Sequence, residues 1–196
     1  MAIVDLFTTP FSDEHLSDIN NDELIKFAYK NVKHRGQSNH LNLAEPVLQP
    51  LVEAVREHFK MLTQLWNLVD GYEIKPTQAW LNVQKPLEQT SNIVETHLHP
   101  KHFVACVYYP QAEQNCGDLV LFPPSNIVDY ALPPKLIQAA NSYNGCRFTV
   151  IPQTGKLVSF PGWINHQVKE NWSKKDRISI AFNGDIEGFG LDNDTL

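Results

Sequence analysis

The chain has 196 residues, 42% of them apolar and 19% charged, a profile of one ordinary soluble unit able to bury a sizeable core. Sixteen basic against twenty-two acidic side chains leave a formal charge of -6, which argues against a phosphate-binding surface for nucleic acid or anionic lipid. Cys106, Cys116 and Cys146 are odd in number and show no C-x-x-C spacing, so neither a disulfide framework nor a thiolate zinc site is expected, and a reducing cytoplasm fits.

Asp5 and Pro10 interrupt the short apolar stretch from Met1 to Phe11, which does not read as a signal peptide, and no run approaches a membrane span. Asn20 and Asn21 can cap a helix over about Asp22 to Val32, with Leu24, Ile25, Phe27 and Ala28 as its apolar stripe. From Pro50, the residues Leu51, Val55, Phe59, Leu62 and Val69 recur at helical spacing, and Asp70-Gly71 would end this second helix. Its apolar face is expected to pack on a sheet. His15, His34, His40 and His58 fall in this helical front, where plain surface roles are expected.

After Gly71 the period changes from helical to two. Eight of the nine glycines lie at or beyond Gly71, and eight of the thirteen prolines lie between Pro100 and Pro161, so turns become dense there. Short strands are expected at Ala79 to Val83, Phe103 to Tyr109, Leu119 to Phe122, Arg147 to Ile151, Lys156 to Phe160 and Arg177 to Phe182. The regions of His97 and His166 bring the count to about eight, that of a jelly roll. Pro123 to Asn144 form a long connection with room for a short helix near Lys135 to Ala140, and Asp185 to Leu196 read as a frayed tail. The expected organisation is a single domain over 1–196, with a helical brace over 1–75, a β core over 76–184 and a tail over 185–196.

Glu95-Thr96-His97-Leu98-His99-Pro100 is the strongest local signal for chemistry. Side chains alternate along a strand, so His97 and His99 would share a face and could grip one metal ion. Roughly 0.3 such pairs arise by chance in a chain of this histidine content, and two solvated imidazoles on a surface strand are the plain alternative. Glu95 would face the same side and is a rival ligand or an acceptor for an imidazole N–H. His102 follows in a turn, where solvation is the default and a role at the substrate mouth the alternative. His166 stands after the Pro161-Gly162 turn, and Arg177 lies eleven residues further on. Arg177, Ser179 and Ala181 share one strand face that otherwise reads as core, and an inward arginine needs an anion, for which a bidentate carboxylate is the natural fit. Trp80 and Trp163 flank these strands and Cys106 sits mid-strand; all three read first as core residues.

The ordered set His97-x-His99, Tyr108-Tyr109, Gly117-Asp118-Leu119-Val120-Leu121-Phe122, Gly155-Lys156-Leu157-Val158-Ser159-Phe160-Pro161, His166 and Arg177-x-Ser179 resembles the 2-oxoglutarate and iron(II)-dependent oxygenases. Within them it is most similar to an oxygenase group met in marine bacteria and phages, and more distantly to prolyl hydroxylases. The resemblance spans about Gln78 to Asn183. It implies a mainly β fold with N-terminal helices, a cupin-like double-stranded β-helix. It also implies iron(II) on His97, His99 and His166. Arg177 would clamp the distal carboxylate of 2-oxoglutarate with help from Ser179 and Tyr109, while Asn82 would line the cosubstrate pocket. The implied cosubstrates are 2-oxoglutarate and oxygen, with succinate and carbon dioxide released as a C–H bond of an unidentified substrate is hydroxylated. A cytoplasmic setting is expected, the host's cytoplasm if the chain is phage-encoded.

His99 stands where most of that superfamily has Asp or Glu. The usual two histidines and one carboxylate leave three metal positions open. Exchanging the carboxylate for imidazole removes one negative charge, which implies a weaker hold on iron without cosubstrate and a shifted iron potential. A filled third position also disfavours halogenation. Two other classes stay open: a cupin-like three-histidine metalloenzyme, in which Arg177 has no 2-oxoglutarate to bind, and a metal-free binding module using Trp80 and Trp163.

Overall fold

The side-chain oxygen of Asn20 accepts the main-chain N–H of Glu23 at 3.3 Å and starts helix α1, Asn21–Asn31. The computed structural model describes residues 8–33, 36–89, 94–125 and 134–187, together with residue 2. His34, residues 90–93 and 126–133 of the two loops, and the tail from 188 lie outside the described residues. Helix α2, Gln49–Leu65, follows a short 3-10 turn at Pro46–Leu48 and buries Leu51, Val52, Val55, His58, Phe59 and Leu62. It stops before Asp70-Gly71 because Asn67 takes a left-handed φ of 49°, a conformation that asparagine tolerates better than most residues. Val69 therefore falls outside the apolar stripe and is 71% exposed.

The strands are β1 (Ser12–His15), β2 (Ile74–Gln84), β3 (Val94–His97), β4 (Val104–Gln111), β5 (Leu119–Leu121), β6 (Phe148–Val150), β7 (Lys156–Pro161), β8 (His166–Val168) and β9 (Arg177–Ile186). They form a five-stranded sheet in the order β1-β7-β4-β9-β2 and a four-stranded sheet in the order β3-β8-β5-β6, with antiparallel pairing throughout. This is the jelly-roll arrangement expected. The strand not foreseen is β1, a polar edge strand whose pairing with β7 is made by main-chain bonds and needs no apolar pattern. Among the described residues the connection after Pro123 holds a 3-10 turn at Pro134–Leu136, where a short helix near Lys135 to Ala140 was expected. Strand β9 continues through Asp185 to Ile186, past the point where fraying was expected to begin.

Period-two alternation divides the large sheet into two faces. On one face Ala79, Leu81 and Val83 of β2 and Ile178, Ile180 and Phe182 of β9 join Leu24, Ala28, Leu51, Val55 and Phe59 of the helices in one buried cluster. The helices thus brace the large sheet from outside. The opposite face turns toward the small sheet, where Ala105, Tyr109, Val158 and Phe160 pack with Leu119, Leu121, Val150 and Ile164.

Candidate metal centre and its cavity

Strands β3 and β8 set His97 opposite His166 in register, and the main-chain N–H of His99 donates to the Gly162 carbonyl at 2.8 Å. The result is a cluster in which one ring nitrogen from each of His97, His99 and His166 lies within 4.8 Å of the others. Ring centroids are 4.2 Å apart for His97 and His166, 5.0 Å for His99 and His166, and 5.4 Å for His97 and His99. Such spacing suits three ligands on one small cation. Alternation along a single strand is not the cause of the convergence, since β3 ends at His97 and His99 enters from the following turn.

Each imidazole has its Nδ1 against an oxygen. The ring of His97 donates to the Glu95 carbonyl at 2.8 Å, the ring of His166 donates to the Ile164 carbonyl at 2.9 Å, and that of His99 meets Asn183 Oδ1. Oxygens of this kind only accept, so Nδ1 carries the proton and Nε2 keeps its lone pair. Burial lowers the pKa of His166 from 6.5 to about 3, and burial likewise lowers that of His99. Both rings are therefore held neutral, the form that binds metal.

Glu95 is exposed, and its carboxylate does not join the three nitrogens. A register irregularity between Val94 and His97 breaks the alternation that would have aimed it there.

Behind the histidines, a cavity of about 800 Å³ is lined from both sheets, and Arg177, Ser179, Tyr109 and Asn82 all border it. Asn82 stands opposite Ser179 in the β2–β9 register, and Trp80 opposite Ala181. Arg177 is 2% exposed; its Nη1 donates to the Gly117 carbonyl at 2.9 Å, while its buried Nε has no hydrogen-bond partner. No acid among the described residues lies within ion-pairing distance of it. Burial presses its pKa downward, with Tyr109, Cys116 and Asp118 acting the other way. Guanidinium stays charged even so, and a buried cation without an anion calls for one. Burial pushes the Tyr109 phenol up to about 12, against the pull of Arg177, so it remains a proton donor.

Several expectations need correction. His102 is not a solvated histidine: its Nδ1 pairs with Asp185 at 3.0 Å, and it borders the cavity. His58 is buried, with Nε2 bonded to Ser12 Oγ at 2.7 Å and Ser159 Oγ at 2.8 Å and Nδ1 facing Glu14 Oε2 at 3.2 Å. Trp80 belongs to the cavity wall, with its ring centroid 5.5 Å from that of His99, rather than to the core. Trp163 is 46% exposed and packs edge-on against Phe103. Cys106 is buried as expected and also touches the cavity. Asn183 and its partner Gln78 went unnoticed in the sequence, although Asn183 continues the period-two series Arg177, Ser179, Ala181.

Two antiparallel sheets around a cavity that holds three clustered imidazoles and an unpaired guanidinium define a double-stranded β-helix protein built to bind a divalent cation beside an organic anion. Residues 78–183 match the model of the family described as "Putative 2OG-Fe(II) oxygenase", and the chain belongs to that family, whose cosubstrates are 2-oxoglutarate and oxygen at iron(II). No curated protein matches the chain. Among solved structures, a Pseudomonas putida prolyl-4-hydroxylase is similar at TM-score 0.60 and 14% identity, covering 90% of this chain and 92% of that one. The viral collagen prolyl hydroxylase of Paramecium Bursaria Chlorella virus-1 is similar at TM-score 0.57 and 16% identity, covering 89% and 94%. The alpha ketoglutarate dependent epimerase SnoN of nogalamycin biosynthesis is similar at TM-score 0.61 and 11% identity, covering 89% and 77%. These likenesses concern the fold. The donor set fits the family's metal and cosubstrate: three Nε2 lone pairs for a cation, and an unpaired buried guanidinium for a carboxylate.

Proposed function

We propose that the chain hydroxylates a C–H bond of a small or extended organic substrate, with iron(II) on His97, His99 and His166 and 2-oxoglutarate on Arg177. The observation that carries this reading is the buried Arg177, unpaired, in the same cavity as the three histidines. When bound, iron(II) and 2-oxoglutarate would supply, with oxygen as the oxidant, an oxidative decarboxylation in which one oxygen atom enters succinate, carbon dioxide leaves, and the other oxygen atom is available to hydroxylate the substrate.

The chain's own residues bind and orient. Arg177 takes the distal carboxylate by charge-assisted bonds, with Ser179 and the protonated Tyr109 as further donors and Asn82 on the adjoining strand. His97, His99 and His166 remain neutral acceptors and add no charge to the metal, so the cosubstrate supplies the negative charge that a carboxylate ligand would otherwise bring. Trp80 forms an apolar wall beside His99 and restricts water there. A cupin-like three-histidine enzyme would leave Arg177 without an anion, which disfavours that class.

In this reading 1–196 are one domain, with the helices of 1–75 as brace and 76–184, joined by β1 and the outer ends of β2 and β9, as the core that houses the site. Three unpaired cysteines support a cytoplasmic setting. A charge of -6 argues against nucleic acid as the primary substrate. Among the described residues no helix is long and apolar enough to cross a membrane.

Anaerobic titration with iron(II) and then 2-oxoglutarate tests the reading. The wild type should develop a visible charge-transfer band of a chelated complex, and Arg177→Leu should still bind iron while weakening 2-oxoglutarate by roughly 100-fold or more, the usual effect of removing a buried charged partner. Folded protein that binds iron and never develops the band would overturn the proposal.

A further inference from the structure

We infer that Asn183 is the positioning residue that holds His99 with its Nε2 turned to the metal, an inference that rests on the metal site proposed above. His97 and His166 are secured by main-chain carbonyls, Glu95 O at 2.8 Å and Ile164 O at 2.9 Å. A carbonyl has no donor end, so those two tautomers follow from the backbone whatever the neighbouring side chains are. His99 alone depends on a side chain, Asn183 Oδ1.

That dependence carries a hazard. The two ends of a carboxamide are nearly the same size, and a half-turn would present the NH2 group to His99 Nδ1. The ring would then have to accept at Nδ1 and carry its proton on Nε2, where no metal could bind. Gln78 faces the other end of the amide. Its Oε1 accepts from Asn183 Nδ2 at 3.1 Å, and the two residues face each other in the β2–β9 register. Asn183 is 4% exposed, so a turned amide keeps both of its bonds only if the partly exposed Gln78 turns with it. The chain Gln78 to Asn183 to His99 joins the face of the large sheet to a ligand supplied by the turn after β3.

Asn183 touches no metal in this scheme and brings no charge, which distinguishes it from a carboxylate partner. It acts through His99 only.

The probe is cobalt(II) alone, added to the metal-free protein and followed by its visible absorption, with thermal melting of each metal-free variant in parallel. Asn183→Leu should weaken cobalt roughly 10- to 100-fold and alter its spectrum, because an orienting partner of a metal-bound histidine is lost. Asn183→Asp should bind cobalt at least as tightly as wild type, since a carboxylate accepts the Nδ1 proton and adds negative charge beside the ligand. An Asn183→Asp variant that binds cobalt no better than Asn183→Leu would overturn the inference, and so would equal affinity in Asn183→Leu and wild type. Wild-type protein that binds no cobalt would instead defeat the metal-site reading itself.

Discussion

Neutral imidazoles are the condition for metal binding here, and burial is what keeps them neutral. His166 has its pKa lowered from 6.5 to about 3, and His99 is lowered in the same direction. Between those values the unfolded chain takes up a proton that the folded chain refuses, so acid favours unfolding. Stability of the metal-free protein should be flat above about pH 6.5 and fall as pH drops below it, by up to ~1.4 kcal/mol per pH unit for each such histidine. Urea denaturation of metal-free protein at pH 7, 6 and 5 measures this; a profile that rises toward acid would contradict it. Bound metal should steepen the acid loss, since protons then also compete for the ligands. At this scale the chemistry was largely legible: His97, His99, His166 and Arg177 were visible as residue types in order. The roles of His58 and His102 were not, because a histidine's burial depends on which remote hydroxyls or carboxylates meet it, here Ser159 and Asp185.

The turn after β7 is the element that sets the site's dimensions. Gly162 donates its N–H to the Phe103 carbonyl at 3.0 Å and accepts from His99 N at 2.8 Å, so the two turns of the site are laced together. A Cβ at Gly162 would lie 2.1 Å from His102 O and 3.3 Å from His99 O. Gly162→Ala must therefore push the 98–102 turn away and shift His99 relative to His166. The expected result is a loss of about 1–3 kcal/mol of stability, the usual cost of overpacking, and more than tenfold weaker cobalt binding. Denaturation together with cobalt titration checks it; wild-type affinity would show that the turn does not set the ligand spacing. Strand alternation put Arg177 and Ser179 on one inward face, and β9 is regular over that stretch. It misled for Glu95, because the irregularity in β3 follows from pairing with β8 and leaves no mark in a four-residue strand.

Across the whole molecule, one sheet separates two apolar layers. Leu51, on α2, is fully buried in the outer layer, on the side of the large sheet away from the cavity. Leu51→Ala should cost about 2–5 kcal/mol of stability while leaving the cobalt dissociation constant of the folded protein unchanged. Denaturation paired with titration reads both quantities; a parallel loss of affinity would mean that the helical brace transmits strain to the site. The same architecture explains β1, which the large sheet recruits as an edge partner of β7, with Ser12 hydrogen-bonded to both His58 and Ser159.

Sequence by itself determined which chemical groups are present, their order, the change of period after Gly71, and the faces of the regular strands. Those are local properties, set by side-chain alternation and turn residues within a few positions of one another. Only the tertiary structure decided that Asn183 reaches His99 across 84 positions, that Gln78 bonds to Asn183 across 105, and that Glu95 stays out of the cluster. Contacts between faces and turns brought together by sheet pairing have no periodic signature along the chain. The glycine and proline density behind Gly71 announced the corners of a sandwich; the folding of those corners made His99, Gly162 and His166 neighbours.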